Sequence, residues 1–174
     1  MALVALLSAA CWGRSGGHDT GAAPSPTSTP TDGRLASPPA IHLQVELRAT
    51  RNGPTGVLTW AGQQQEGVPG SYCWVEPDLS SGTSKCLDMG PIPVRRASIE
   101  VPRATVLYVV GDHTAATGTL LQVTGQAQVS GVAQRLPLVE GATAIQTMPG
   151  RYTLEVDATW PQGDVPLFFG LTVI

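Results

Sequence analysis

Beyond residue 40 the chain alternates apolar and polar side chains one for one, the two-residue period of a strand that buries a single face. Ile41, Leu43, Val45 and Leu47 alternate with His42, Gln44, Glu46 and Arg48. Tyr152, Leu154, Val156, Ala158 and Trp160 alternate in the same way with Thr153, Glu155, Asp157 and Thr159. Both patterns predict half-buried strands. Leu167, Phe169, Leu171 and Val173 make a third, more apolar run, which predicts a strand that is central or well covered. Further strands are predicted at 57–60, 71–75, 85–89, 97–101, 105–110 and 119–124. Turn formers punctuate them: Asn52-Gly53-Pro54, Ser81-Gly82, Gly111-Asp112 and Gln162-Gly163-Asp164. No stretch shows a sustained helical period with caps. Residues 41–174 are enough for one domain with one core, and antiparallel sheets must cover one apolar face with another, so the expectation is an all-β sandwich of about seven to nine strands.

The first 40 residues follow a different pattern. Ala2 to Ala10 are almost wholly apolar, and the tract from Trp12 to Ala40 carries only Arg14, Asp19, Asp32 and Arg34 as charges, with prolines at 24, 26, 30, 38 and 39. A nine-residue apolar run spans about 14 Å as a helix, against about 30 Å of bilayer core, so it fits the core of an export signal and not a membrane span. The proline-rich tract has too few large apolar side chains to build a core, and it predicts a disordered linker over residues 11–40 that averages roughly 30 Å end to end. Leu7-Ser8-Ala9-Ala10-Cys11 resembles the lipobox of bacterial lipoproteins. That resemblance implies cleavage after residue 10, diacylation of Cys11 and attachment of the mature chain to the bacterial cell membrane, facing away from the cytoplasm. Ser8 stands where the lipobox usually has an aliphatic residue, and no Lys or Arg precedes the apolar run, as it would if the coding start lies further upstream. Ser8-Ala9-Ala10 also fits an ordinary secretory peptidase site, which would release the chain without lipid.

The chain has three cysteines. With Cys11 lipidated, Cys73 and Cys86 remain to pair, as an oxidising compartment favours, and closure of that loop contributes roughly 3 kcal/mol. The alternatives are two reduced buried cysteines or half of a metal site. No CxxC occurs and His18, His42 and His113 are scattered, so no metal and no cofactor is expected.

Pro149-Gly150-Arg151-Tyr152-Thr153-Leu154-Glu155-Val156 resembles the turn and strand of immunoglobulin-like and fibronectin-type domains. The resemblance covers residues 149–173 and implies a Greek-key sandwich with a tyrosine corner, in which the Tyr152 hydroxyl bonds back to the preceding loop. Cys73 and Cys86 are too close in sequence for the inter-sheet disulfide of antibody domains, and are expected to brace neighbouring strands.

Composition narrows function mostly by exclusion. A net charge of -3, 13% charged residues and no basic cluster beyond Arg95-Arg96 leave no electrostatic footprint for nucleic acid. No GxSxG, HExxH, P-loop or dinucleotide fingerprint is present, and Asp112-His113 lack an identifiable nucleophile, so no catalytic residue is assigned. Glu76, Asp78, Asp88 and Asp164 are loop carboxylates for which solvation is the simpler reading than calcium. The candidate binding surface is the cystine-braced segment, with Tyr72, Trp74, Glu76, Asp78, Lys85 and Asp88, because Tyr and Trp are favoured at interfaces and a disulfide lowers the ordering cost of a loop. Core packing is the competing role for Tyr72 and Trp74. The expectation is a monomeric, membrane-tethered module that binds an envelope protein or ligand. Two other classes stay open: an enzyme with residues converging from separate loops, and a small-ligand receptor.

Overall fold

The computed structural model describes residues 42–76, 84–125, 128–138 and 141–174. The export signal, Cys11, the linker, Ile41 and Asp78 lie outside the described residues. The chain opens with a meander of β1 (Leu43–Thr50), β2 (Gly53–Trp60) and β3 (Gln63–Glu66). Ala61 and Gly62 link the last two with φ of 47° and 80°, the left-handed pair of a tight hairpin turn. A two-residue β4 (Val68–Pro69) follows, then the hairpin of β5 (Tyr72–Val75) and β6 (Ser84–Leu87). The remaining strands are β7 (Ile99–Val101), β8 (Val106–Gly111), β9 (Ala115–Thr124), β10 (Gln128–Leu136), β11 (Ala142–Ala144), β12 (Gly150–Trp160) and β13 (Gly163–Val173).

These strands build two main sheets, ordered β11-β8-β1-β2-β3 and β10-β9-β12-β13-β4, with β7 also on β13 and with β5-β6 forming a small separate ribbon. From β8 the chain crosses to the second sheet for β9 and β10, returns for β11 and crosses again for β12 and β13, which is Greek-key connectivity. Two pairings are parallel, β1 with β8 and β7 with β13. The expected tyrosine corner is present: the buried Tyr152 donates its hydroxyl to the Met148 carbonyl at 2.6 Å.

The inward faces are the ones the alternation predicts. Leu43, Val45 and Leu47 from the first sheet, and Leu154, Val156, Leu167, Phe169 and Leu171 from the second, are all fully enclosed in one core. β13 lies between β12 and the short strands β4 and β7, and Leu167 to Leu171 are buried on both faces, as its apolar run predicts. Thirteen strands occur among the described residues, against the seven to nine expected. The four unexpected ones are β3, β4, β10 and β11, which are short, polar or exposed and so carry little apolar signal.

Each open side of the sandwich is closed by a glutamine amide. On one side Gln65 of β3 donates to the Ala97 carbonyl at 2.8 Å and accepts from the Gly170 N–H at 2.6 Å, standing in for a strand neighbour between the sheets. Gly170 has no alternative here, since a Cβ would collide with the same Ala97 carbonyl. On the other side Gln134 of β10 donates to the Ala144 carbonyl and accepts from the Gln146 N–H, both at 2.8 Å. An amide side chain carries both a donor and an acceptor, so one residue satisfies two backbone groups that an apolar edge would leave unpaired.

Candidate functional site

The cystine-braced hairpin divides into an anchoring face and an outward face. β5 and β6 are antiparallel with Cys73 directly opposite Cys86, and the two form a disulfide with both residues exposed. By alternation Tyr72 and Trp74 point the other way. Trp74 is 2% exposed and meets Trp160 edge to face, with ring centroids 5.6 Å apart, while Tyr72 is half-buried over Gly53. The Trp74 indole N–H is enclosed without a partner, so apolar packing holds it. Tyr72 and Trp74 therefore fasten the hairpin to the sandwich, and Trp74 is withdrawn from any binding surface.

Trp160 passes the anchor on to the loop between β8 and β9. Its indole N–H donates to Asp112 at 2.8 Å, and Asp112 also accepts the Ala49 N–H at 2.9 and 3.0 Å. Burial pushes the Asp112 carboxyl up, but the hydrogen bonds from Trp160 and the backbone outweigh it and hold the group below its ordinary 3.8. Asp112 is thus a tie between the sheets, and its neighbour His113 adds no nucleophile.

Of the remaining expected surface residues, Lys85 and Asp88 are exposed and Glu76 is half-buried. Asp88 accepts from the Ser71 hydroxyl at 3.0 Å and from the Gly90 N–H at 3.2 Å, and the Gly90 bond, then the Ser71 bond, lower its pKa. It pins the loop after β6. Among the described residues no three His, Cys, Asp or Glu side chains converge as metal ligands.

A second surface escapes sequence reasoning. On the outer face of the second sheet, cross-strand register places Arg135 opposite Thr119, Thr119 opposite Glu155 and Glu155 opposite Phe168. One row along, Thr117 stands opposite Asp157 and Asp157 opposite Pro166. The sheet dips here into a depression of about 380 Å³ lined by Thr117, Thr119, Arg135, Leu136, Pro137 and Asp157. Burial raises the pKa of Asp157, and burial together with the Asp157 charge raises that of Glu155. No ion pair with Glu155 or Asp157 is present among the described residues, so neither carboxylate is offset by a cation at contact distance. Thr153, on the same face beside Glu155, is fully enclosed and its hydroxyl has no partner. The polar alternation of Glu155 and Asp157 was legible in sequence. Their approach to Arg135 was not, because it depends on the register of three strands.

No family model, curated protein or solved structure matches this chain.

Proposed function

We propose that the chain is an extracytoplasmic lipoprotein, anchored through Cys11, whose β-sandwich acts by binding an envelope component. The observation that carries the binding reading is the depression on the second sheet, where Thr117, Thr119, Arg135 and Asp157 converge from three adjacent strands with their hydrogen-bonding capacity unspent among the described residues. Groups held by a sheet keep their spacing without the ordering cost that a loop would add. The anchor reading rests on the apolar run, the small residues before Cys11 and the linker after it.

Two experiments test the two halves. Wild type should fractionate with membranes and take up labelled palmitate, and Cys11→Ala should do neither; a Cys11→Ala variant that stays membrane-bound, with wild type unlabelled, removes the anchor. A photo-crosslinking amino acid in place of Thr119 should give envelope adducts in cells, while the same group in place of Arg48, on the opposite sheet, should not. Equal adducts from both positions, or none from position 119, removes the binding site.

A further inference from the structure

The depression on the second sheet carries a charge pattern that selects among ligands, and this inference rests on the binding reading above. Arg135 stands at one end on β10 and Asp157 at the other on β12, the hydroxyls of Thr117 and Thr119 lie between them on β9, and Glu155 sits beside Asp157 on the same face, outside the lining. Neighbouring strands are about 4.8 Å apart, so the backbones of Arg135 and Glu155 are separated by about 10 Å across the sheet, and those of Arg135 and Asp157, which is two residues further along β12, by about 12 Å. We propose that this depression binds a short peptide that is zwitterionic at its ends, about three residues long, with its carboxylate at Arg135 and its ammonium at Asp157 and Glu155.

Five features converge on that class. An extended peptide rises about 3.4 Å per residue, so a tripeptide places its terminal charges about 10 Å apart, which matches the span of the site. The guanidinium fork suits a carboxylate, which it can hold through two parallel N–H bonds. At the other end two carboxylates share a partly desolvated face without a cation at contact distance, and an ammonium supplies the charge and the donors they lack. Between the ends, threonine hydroxyls both donate and accept, so they can meet either group of a peptide unit. A volume of about 380 Å³ lies at the small end of ligand sites, as a tripeptide requires.

The test uses the full exported chain carrying Cys11→Ala, with backbone amide shifts recorded as trialanine is added. Trialanine should shift the amides of Thr117, Thr119 and Asp157 in a saturable manner. N-acetyl-trialanine and trialanine amide, each lacking one terminal charge, should bind about five-fold more weakly, as expected for one partly exposed ion pair. Asp157→Asn should reproduce the loss seen on acetylation and Arg135→Gln the loss seen on amidation, whereas Arg48→Gln should leave the titration unchanged. Both site substitutions are on the exposed outer face, so a retained amide spectrum separates lost binding from lost fold. Equal binding of all three peptides, or shifts produced by the neutral saccharide N,N'-diacetylchitobiose in place of trialanine, overturns the proposal. Trialanine failing while adducts from position 119 persist overturns the ligand class and leaves the binding reading standing. Failure of both removes the site.

Discussion

Gln65 makes the sharpest test of how this fold is closed, because its side chain does work that the sequence assigns to no apolar residue. Gln63, Gln64 and Gln65 are chemically identical neighbours on one short edge strand, yet the first two are exposed and Gln65 is 8% exposed. Replacing Gln65 with Leu keeps the volume and deletes both hydrogen bonds. The Gly170 N–H then stays buried without an acceptor, at a cost of about 1–3 kcal/mol. Ala97 is exposed, so its carbonyl can turn to water, and the second bond adds only about 1 kcal/mol. The expected loss is about 2–4 kcal/mol, or about 10 °C in Tm for a domain of this size. Gln64→Leu, the control one residue away, should stay within about 0.5 kcal/mol of wild type. Urea denaturation of both variants against wild type measures the difference at constant slope. Equal midpoints for Gln64→Leu and Gln65→Leu would refute the reasoning, since position 65 would then matter only as part of a polar edge.

Tyr152→Phe removes one hydroxyl and the 2.6 Å bond to the Met148 carbonyl, and should cost about 1–2 kcal/mol by urea denaturation with an unchanged circular dichroism spectrum. Reducing Cys73–Cys86 opens a loop of sequence separation 13, so Tm should fall by an amount corresponding to roughly 3 kcal/mol while the fold survives on the Trp74–Trp160 contact; complete unfolding on reduction would show that the anchor is too weak to hold the hairpin. The pH dependence has two signs. Glu155 and Asp157 are raised, so the folded protein holds protons that the unfolded chain releases, and stability should rise as pH falls from neutral towards their ordinary values of 4.5 and 3.8. Asp112 is lowered, so its contribution is present above its ordinary value of 3.8 and is lost in stronger acid. Melting curves from pH 7 to pH 3 should therefore pass through a maximum, and the double variant Glu155→Gln, Asp157→Asn should abolish the rise on its neutral side; an unchanged profile in that variant would show that other groups set it.

What the sequence disclosed follows from where apolar side chains carry the structure. All nine expected strands are present, and all but β6 turn residues such as Leu43, Val101, Leu107 or Leu154 into one core, a burial that the two-residue period records directly. β3 is invisible to the same reasoning, since Gln65 is buried by hydrogen bonds and a Gln-Gln-Gln-Glu strand has no period. β10 hides for a different cause: it is an edge strand, mostly exposed, and register shifts between Val129 and Gly131 and between Val132 and Gln134 scramble its alternation. Such bulges also blunt an edge against pairing with another chain. The sequence predicts both strands of the hairpin but allows its Tyr and Trp to be either core or interface; the Trp74–Trp160 contact decides this for Trp74. The depression was out of reach because Arg135, Thr119 and Glu155 are neighbours across strands and distant in the chain.

Polar side chains in this domain therefore fall into two groups with opposite energetics. Gln65, Gln134 and Asp112 have partners on both sides of a gap, and removing any of them leaves backbone or indole groups unsatisfied. Glu155 and Asp157 are partly desolvated and lie beside each other, so at neutral pH their charges oppose folding. The two groups respond differently to the same kind of change. Replacing the first kind with an apolar residue lowers stability, whereas neutralising Glu155 and Asp157 raises it, and on the proposed ligand chemistry also weakens binding of an ammonium. Opposite movement of Tm and affinity in one variant is the behaviour expected of residues retained for a site at the expense of the fold, a trade that a purely structural role for this face does not produce.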